Sequence, residues 1–335
     1  MLIGLYKTDR PFGLFFLPVL IGLLQIPYWL NPDAFHATGD MSVAGSMPLY
    51  HFLEFSLGGI PYALPVFFIV VVFLEALILN RIIIDTSIFQ KNNWLPALVF
   101  TLFMFNHPIL MPLHPAIPAN LFLIFSIRKT VFLYRNENAL FPVFDSGVLI
   151  GTASLFYFPA SVFMIWVFIS LIIFRTFNWR EWVVLPAGFL IPHLFNWSYH
   201  YLTGSTHAFT GVSEVLPGFG QFRSAYPVSS WCYFSFFILL TLISVFRMLA
   251  VRRRLSIRQR KIIISGIWFI ITGGLTAAFH LEYPVIFAMI AIVLAAFFTQ
   301  MFFEFSRVTG EIIILAMIGA ISVIQYNRVY GFLNF

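Results

Sequence analysis

A chain of 335 residues with 60% hydrophobic and only 10% charged residues cannot cover a water-soluble surface, since soluble proteins carry about a quarter charged residues. Apolar runs of about 20 residues, the length that crosses a hydrocarbon core roughly 30 Å thick, follow one another almost from end to end. The net charge of +6 comes from 19 Lys and Arg against 13 Asp and Glu. The composition excludes a soluble globular protein and predicts an all-α, polytopic transmembrane helical bundle with no soluble domain.

The apolar runs predict about eleven spans in a single integral membrane domain, residues 1–335. In chain order the predicted spans are 12–30, 62–80, 94–110, 116–134, the pair 147–157 and 160–174, then 183–199, 229–249, 262–279, 284–300 and 311–325. The stretch 147–174 is too long for one helix and short for two full spans. Because Pro159 removes a backbone donor, we expect a short-helix hairpin there.

The distribution of basic residues predicts the orientation. If the N-terminus is cytoplasmic, all but two of the nineteen Lys and Arg fall in cytoplasmic segments, and only Arg223 and Arg328 face outward. Basic residues in short loops resist translocation and so fix topology. We therefore expect a multi-pass protein of a bacterial inner membrane, with its N-terminus in the cytoplasm and its C-terminus in the periplasm.

Six of the nineteen basic residues cluster in 252–261, "RRRLSIRQRK". They are Arg252, Arg253, Arg254, Arg258, Arg260 and Lys261. The simplest interpretation is a cytoplasmic retention signal between two spans. A second is a binding site for anionic lipid headgroups or a membrane-protein partner. Nucleic acid is not an expected partner, because interleaved aromatics and a recognisable module are both missing.

The first outward loop, 31–60, has no Lys or Arg but contains Asp33 and Asp40. Its second half predicts a short interfacial helix, because apolar residues recur there at three- and four-residue spacing. These residues are Met47, Tyr50, Leu53 and Leu57. His107 and His114 in a later turn lack the close spacing of zinc ligands. No nucleotide or dinucleotide motif occurs either, so the sequence predicts neither a metal nor a cofactor.

Glu75 is an ionisable residue inside a predicted span. It is either a proton or cation site, or a carboxylate near the cytoplasmic edge that pairs with Arg81 or with an Arg of a neighbouring helix. The second interpretation is favoured, because the span 62–80 places Glu75 about a turn and a half from the basic edge.

Four segments carry a family resemblance: "SIRKTVFLYRNENA", "FDSGVLIGTASLFYFPA", "ISLIIFRTFNWREW" and "LPAGFLIPHLF", all between Ala119 and His200. They resemble an uncharacterised Bacteroidota-type family of polytopic inner-membrane proteins. Residues 12–200 are also distantly similar to the membrane half of the C-type glycosyltransferases, which use polyprenyl-phosphate sugars, and 229–335 would be additional C-terminal spans. The resemblance implies a catalytic carboxylate in the first outward loop, so that Asp33 or Asp40 acts as general base and Arg223 contacts a lipid phosphate.

Three classes of function stay open on the sequence. The first is an enzyme, a lipid-linked sugar transferase that acts on polyprenyl phosphate at the outer leaflet. The second is a non-catalytic subunit or scaffold of an inner-membrane assembly, with other membrane proteins as partners. The third is a transporter or flippase, against which the scarcity of intramembrane charges counts.

Overall fold

The computed structural model describes residue 6 and residues 12–31, 46–60, 62–89, 93–111, 113–134, 138–204, 228–276 and 283–330. These residues form α-helices joined by short turns and include no β-strand. An isolated antiparallel bridge between Ser46 and Tyr157 is the extended pairing within them. The predicted all-helical class is therefore confirmed.

The helices follow one another closely along the chain. They are α1 Phe12–Leu24, α2 Ile26–Leu30, α3 Pro48–Gly58, α4 Ala63–Asp85, α5 Leu95–Met104, α6 Ala116–Val131, α7 Leu140–Phe156, α8 Phe163–Phe174, α9 Trp179–Leu202, α10 Val228–Val251, α11 Ile257–Leu275, α12 Tyr283–Glu304 and α13 Arg307–Tyr330. Short 3₁₀ turns occupy Pro108–Leu110, Phe158–Val162 and Arg252–Arg254.

Four of the helical segments are long and apolar enough to cross a bilayer. They are Ala63–Asp85, Phe234–Arg254, Pro284–Glu304 and Val308–Asn327. Four shorter apolar segments accompany them, Phe15–Leu24, Leu95–Met104, Leu140–Phe156 and Phe158–Phe174. A helical multi-pass membrane protein follows from these lengths, because about 20 apolar residues match the hydrocarbon thickness.

The centre of the bundle is formed by α5 and α12, which pack against each other. All ten residues of α5 are buried. Phe103 on α5 contacts two rings edge-on, Phe237 of α10 and Phe298 of α12, with centroids 5.6 and 5.2 Å apart. Such edge-to-face pairs contribute about 0.5–1.5 kcal/mol each beyond the area they bury. The Phe-rich composition thus provides the packing between central helices.

The predicted hairpin is present, but its first arm is longer than expected. α7 begins at Leu140 rather than at 147, and the chain turns through the 3₁₀ segment Phe158–Val162 into α8. Pro159 lies at the start of that segment, where a missing N–H costs little. The hairpin prediction was correct at its turn and wrong at its first boundary.

α7 and α9 pack more closely than side chains would allow. A Cβ added at Gly147 would lie 2.3 Å from the carbonyl oxygen of Leu185, and one at Gly188 would lie 2.4 Å from that of Phe144. Gly151, one turn after Gly147, meets the carbonyl of Phe189 in the same way at 2.5 Å. The Gly147-x₃-Gly151 spacing is the small-residue pattern that lets helices in a membrane approach backbone to backbone.

Candidate functional site

The candidate catalytic residues Asp33 and Asp40, and the candidate phosphate ligand Arg223, lie outside the described residues. The structure instead defines the two ends of the acidic loop that carries both aspartates. Asn31 ends α2, and Ser46 precedes α3. Asp33 is two residues from Asn31, so its Cα lies within about 7 Å of the Cα of Asn31.

α3 is the short helix predicted from the apolar spacing, and it docks on the bundle through its first turn. The backbone N–H of Met47 donates to the carbonyl of Phe156 at 3.3 Å, and the Tyr50 hydroxyl donates to the carbonyl of Leu113 at 2.9 Å. On the other side Phe52 and Phe55 are 69% and 87% exposed. One face bound to protein and one apolar face exposed is the pattern of a helix that lies along a membrane interface.

The polar groups beside this docking point are neutral and structural. Burial lowers the pKa of His114 to about 3, and the Nδ1 atom of its neutral ring accepts from the N–H of Ala116 at 3.1 Å. The His114 ring also meets the ring of Tyr157 edge-on, with centroids 5.3 Å apart. Burial, and to a lesser degree the nearby Glu54 carboxylate, raise the pKa of Tyr50. This layer joins α3, the turn before α6 and the hairpin turn.

The basic segment between α10 and α11 has a defined structure. Ser256 caps α11, its hydroxyl accepts from the N–H of Gln259, and the side chain of Gln259 also contacts the carbonyl of Ser87. Lys261 lies 5.2 Å from the ring centre of Tyr134, and Arg258 lies 5.3 Å from that of Phe132.

The remaining cluster residues surround this connection. Arg253 and Arg254 are exposed, whereas Arg252 and Arg260 are half-buried. The structure therefore brings the predicted headgroup-binding residues together at one end of the bundle, and their role in binding lipid stays a prediction.

A second charged group lies between α8 and α9, where the sequence offered no expectation. Arg175 Nε is 3.1 Å from Glu181 Oε1, and Glu181 is only 3% exposed. The amide of Asn178 also donates to Glu181 at 3.3 Å. A cavity of about 320 Å³ opens beside the pair, lined by Leu171, Ile172, Arg175, Thr176, Phe177, Glu181 and Trp182. The pair anchors the start of α9 rather than facing bulk water.

The expected partner of Glu75 is engaged elsewhere. Arg81 pairs with Asp85 at 3.3 Å on the same helix, and Glu75 has no ion pair in the described part of the chain. The reason is the length of α4, which runs to Asp85 instead of ending near 80. Glu75 consequently lies near the middle of the helix, and the predicted pairing with Arg81 was wrong.

Two features of this region were not found from the sequence. The first is the close approach of α7 and α9, for which the Gly147-x₃-Gly151 spacing was an available signal. Another is the hydrogen bond between Ser154 and His193 Nε2, 2.9 Å long, two turns from Gly188 on the same pair of helices. Neither residue has a local pattern that names its partner 39 positions away.

Comparison with known proteins gives no further assignment. No protein-family model matches the chain, and neither a curated protein nor a solved structure matches it.

Proposed function

We propose that the protein is a bacterial inner-membrane transferase that moves a sugar from polyprenyl phosphate to an acceptor at the outer leaflet. The observation that supports the proposal is the docking of α3. The acidic loop begins at the end of α2 and finishes at a helix held to the hairpin turn through Met47 and Tyr50. Both ends of the loop with Asp33 and Asp40 are therefore fixed to the bundle, which limits how far those carboxylates can move.

The chemistry assigned to the loop is a single displacement. Asp33, or Asp40 in its place, accepts the proton of an acceptor hydroxyl as the oxygen bonds to the sugar's anomeric carbon. The bond from that carbon to the phosphate oxygen breaks, and polyprenyl phosphate leaves with the electron pair. Arg223 balances the charge on the departing phosphate, because a guanidinium can bind two phosphate oxygens at once. The exposed apolar face of α3, with Phe52 and Phe55, would contact the lipid tails nearby.

The topology that this function needs is about eleven spans in one domain, with 12–200 as the glycosyltransferase-like part and 229–335 as additional spans. The four long apolar helices and the shorter apolar ones between them support this arrangement. Cysteine labelling or a reporter fusion at residue 335 tests it. A periplasmic signal is expected, and a cytoplasmic signal would show that one span has been counted wrongly.

Substitution of the carboxylates tests the activity. Purified protein is given polyprenyl-phosphate-linked hexoses, and released polyprenyl phosphate is measured. D33N should lower the rate on the order of 10²-fold or more while substrate binding is kept, because only the proton acceptor is lost. E54Q is the matched control, since Glu54 is an exposed carboxylate on α3. Wild-type rates in both D33N and D40N would refute the assignment.

A second candidate is a non-catalytic subunit of a membrane assembly, and the surface of α9 favours it. The buried residues of this 24-residue helix are Glu181, Leu185 and Gly188, all in its first half. Its second half exposes large side chains, among them Phe195 at 74% and Leu202 at 83%. A photo-crosslinking residue at 195 distinguishes the candidates, because a scaffold should give a discrete protein adduct and a lipid-facing helix should give lipid adducts.

A further inference from the structure

Glu75 is a carboxyl group buried in the apolar interior of the bundle. It is 0% exposed, and neither of its oxygens makes a hydrogen bond of standard geometry. It lies twelve residues after Ala63 and ten before Asp85. At 1.5 Å per residue, these separations put it about 18 and 15 Å from the ends of α4.

The surroundings of Glu75 on its own helix are hydrocarbon. The neighbours one turn away on the buried face are Val71, Val72 and Leu79, with Ala76 beside them, and all four are buried. None of these can donate a hydrogen bond from its side chain. The polar group that does act on the carboxyl is the backbone amide of Leu121 on α6.

The helices packed against α4 bring no counter-ion to this level. They are α1, α3, α5 and α6. α5 has no titratable side chain, and the described residues of α1 have none either. On α3, His51 and Glu54 pair with each other and are half exposed. On α6, Arg128 and Lys129 are exposed in the last turn, and Lys129 binds Asp145.

An ionised carboxylate in such a place is unfavourable by far more than the folding free energy of a protein, so the group takes up a proton instead. From the burial, the absence of a counter-ion and the central position we infer that Glu75 is a proton-binding site inside the bundle, occupied at neutral pH. Release of the proton would require water or a cation to reach the carboxyl, and hence movement of α4 relative to α6. Glu75 thereby couples packing of these helices to a proton, which the proposed transferase chemistry does not require.

Two measurements on the full-length protein in detergent test the inference. Gln has nearly the shape of a neutral carboxylic acid, so E75Q should leave the midpoint of thermal unfolding unchanged. A hydrophobic carbodiimide reacts with protonated carboxyl groups in apolar surroundings, so it should modify Glu75 in the native protein at pH 7 and give no adduct at that peptide in E75Q. Glu54, exposed on α3, is the control carboxyl, and a water-soluble carbodiimide should modify it while sparing Glu75.

Two results would overturn the inference. A midpoint several degrees lower in E75Q, together with stabilisation of the wild-type protein by Na⁺ or K⁺, would show that Glu75 is an ionised cation ligand. A native protein unmodified at Glu75, whose unfolded chain is modified there, would show that no exchangeable proton is present. Neither result bears on Asp33, so the inference and the transferase proposal fail separately.

Discussion

Adding a single methyl group at the crossing of α7 and α9 should destabilise the protein strongly. In G147A the new carbon would be 2.3 Å from the carbonyl oxygen of Leu185. Even the closest favourable carbon–oxygen contacts are about 3.3–3.6 Å, so the helices must separate locally by about 1 Å. Backbone atoms cannot rotate away as a side chain can, and such overpacking costs about 1–3 kcal/mol. G188A, which meets the carbonyl of Phe144 from the other helix, should cost a similar amount.

The assay is the unfolding of purified protein in detergent, followed for single variants, the double variant and a control. G319A is the control, because Gly319 lies within α13 and has open space where a Cβ would be added. Its stability should stay within about 0.5 kcal/mol of the wild type or rise. The double variant should lose less than the sum of the two singles, since helices already separated for one methyl accommodate the second. Equal stabilities for G147A, G188A and G319A would refute the close backbone contact.

Three further outcomes are expected. R175Q removes the partner of the 3%-exposed Glu181 and should cost about 3–5 kcal/mol in an unfolding assay, whereas the exposed Arg180, changed to Gln, should have little effect. Changing the three arginines of 252–254 to Gln should weaken retention of anionic lipid, measured by native mass spectrometry, by up to about 1 kcal/mol per charge and leave any outer-face activity of correctly inserted protein intact. Burial lowers the pKa of His114 to about 3, so the unfolded chain alone takes up a proton between its ordinary value near 6.5 and 3; stability should fall as pH is lowered through that window, and less so in H114N, when unfolding midpoints are compared.

Local patterns in the sequence predicted the features that depend on local physics. The three- and four-residue spacing from Met47 to Leu57 gave α3, and Pro159 gave the position of the hairpin turn. Each signal is complete within about a dozen residues, because helix periodicity and proline geometry act over one or two turns.

The features that sequence analysis missed depend on helices far apart in the chain. The end of α4 could not be located, because Ile82, Ile83 and Ile84 continue the apolar run past Arg81. Without that end, Glu75 seemed to lie near the basic edge, and its missing partner became evident only from the neighbouring helices. For the same reason the spacing of Gly147 and Gly151 indicated a close contact without naming α9 as the other helix.

The burial of α5 has a consequence for how the protein is made. Ten residues of helix measure about 15 Å, half the thickness of the hydrocarbon core, and all ten are covered by protein in the finished bundle. The principal cover is α12, which begins about 180 residues later in the chain. At synthesis rates of about 5–20 residues per second, α5 leaves the ribosome roughly 10–40 s before α12 exists. During that interval lipid, an insertase or the adjoining α4 and α6 must shelter it, so its final packing belongs to the last stage of assembly.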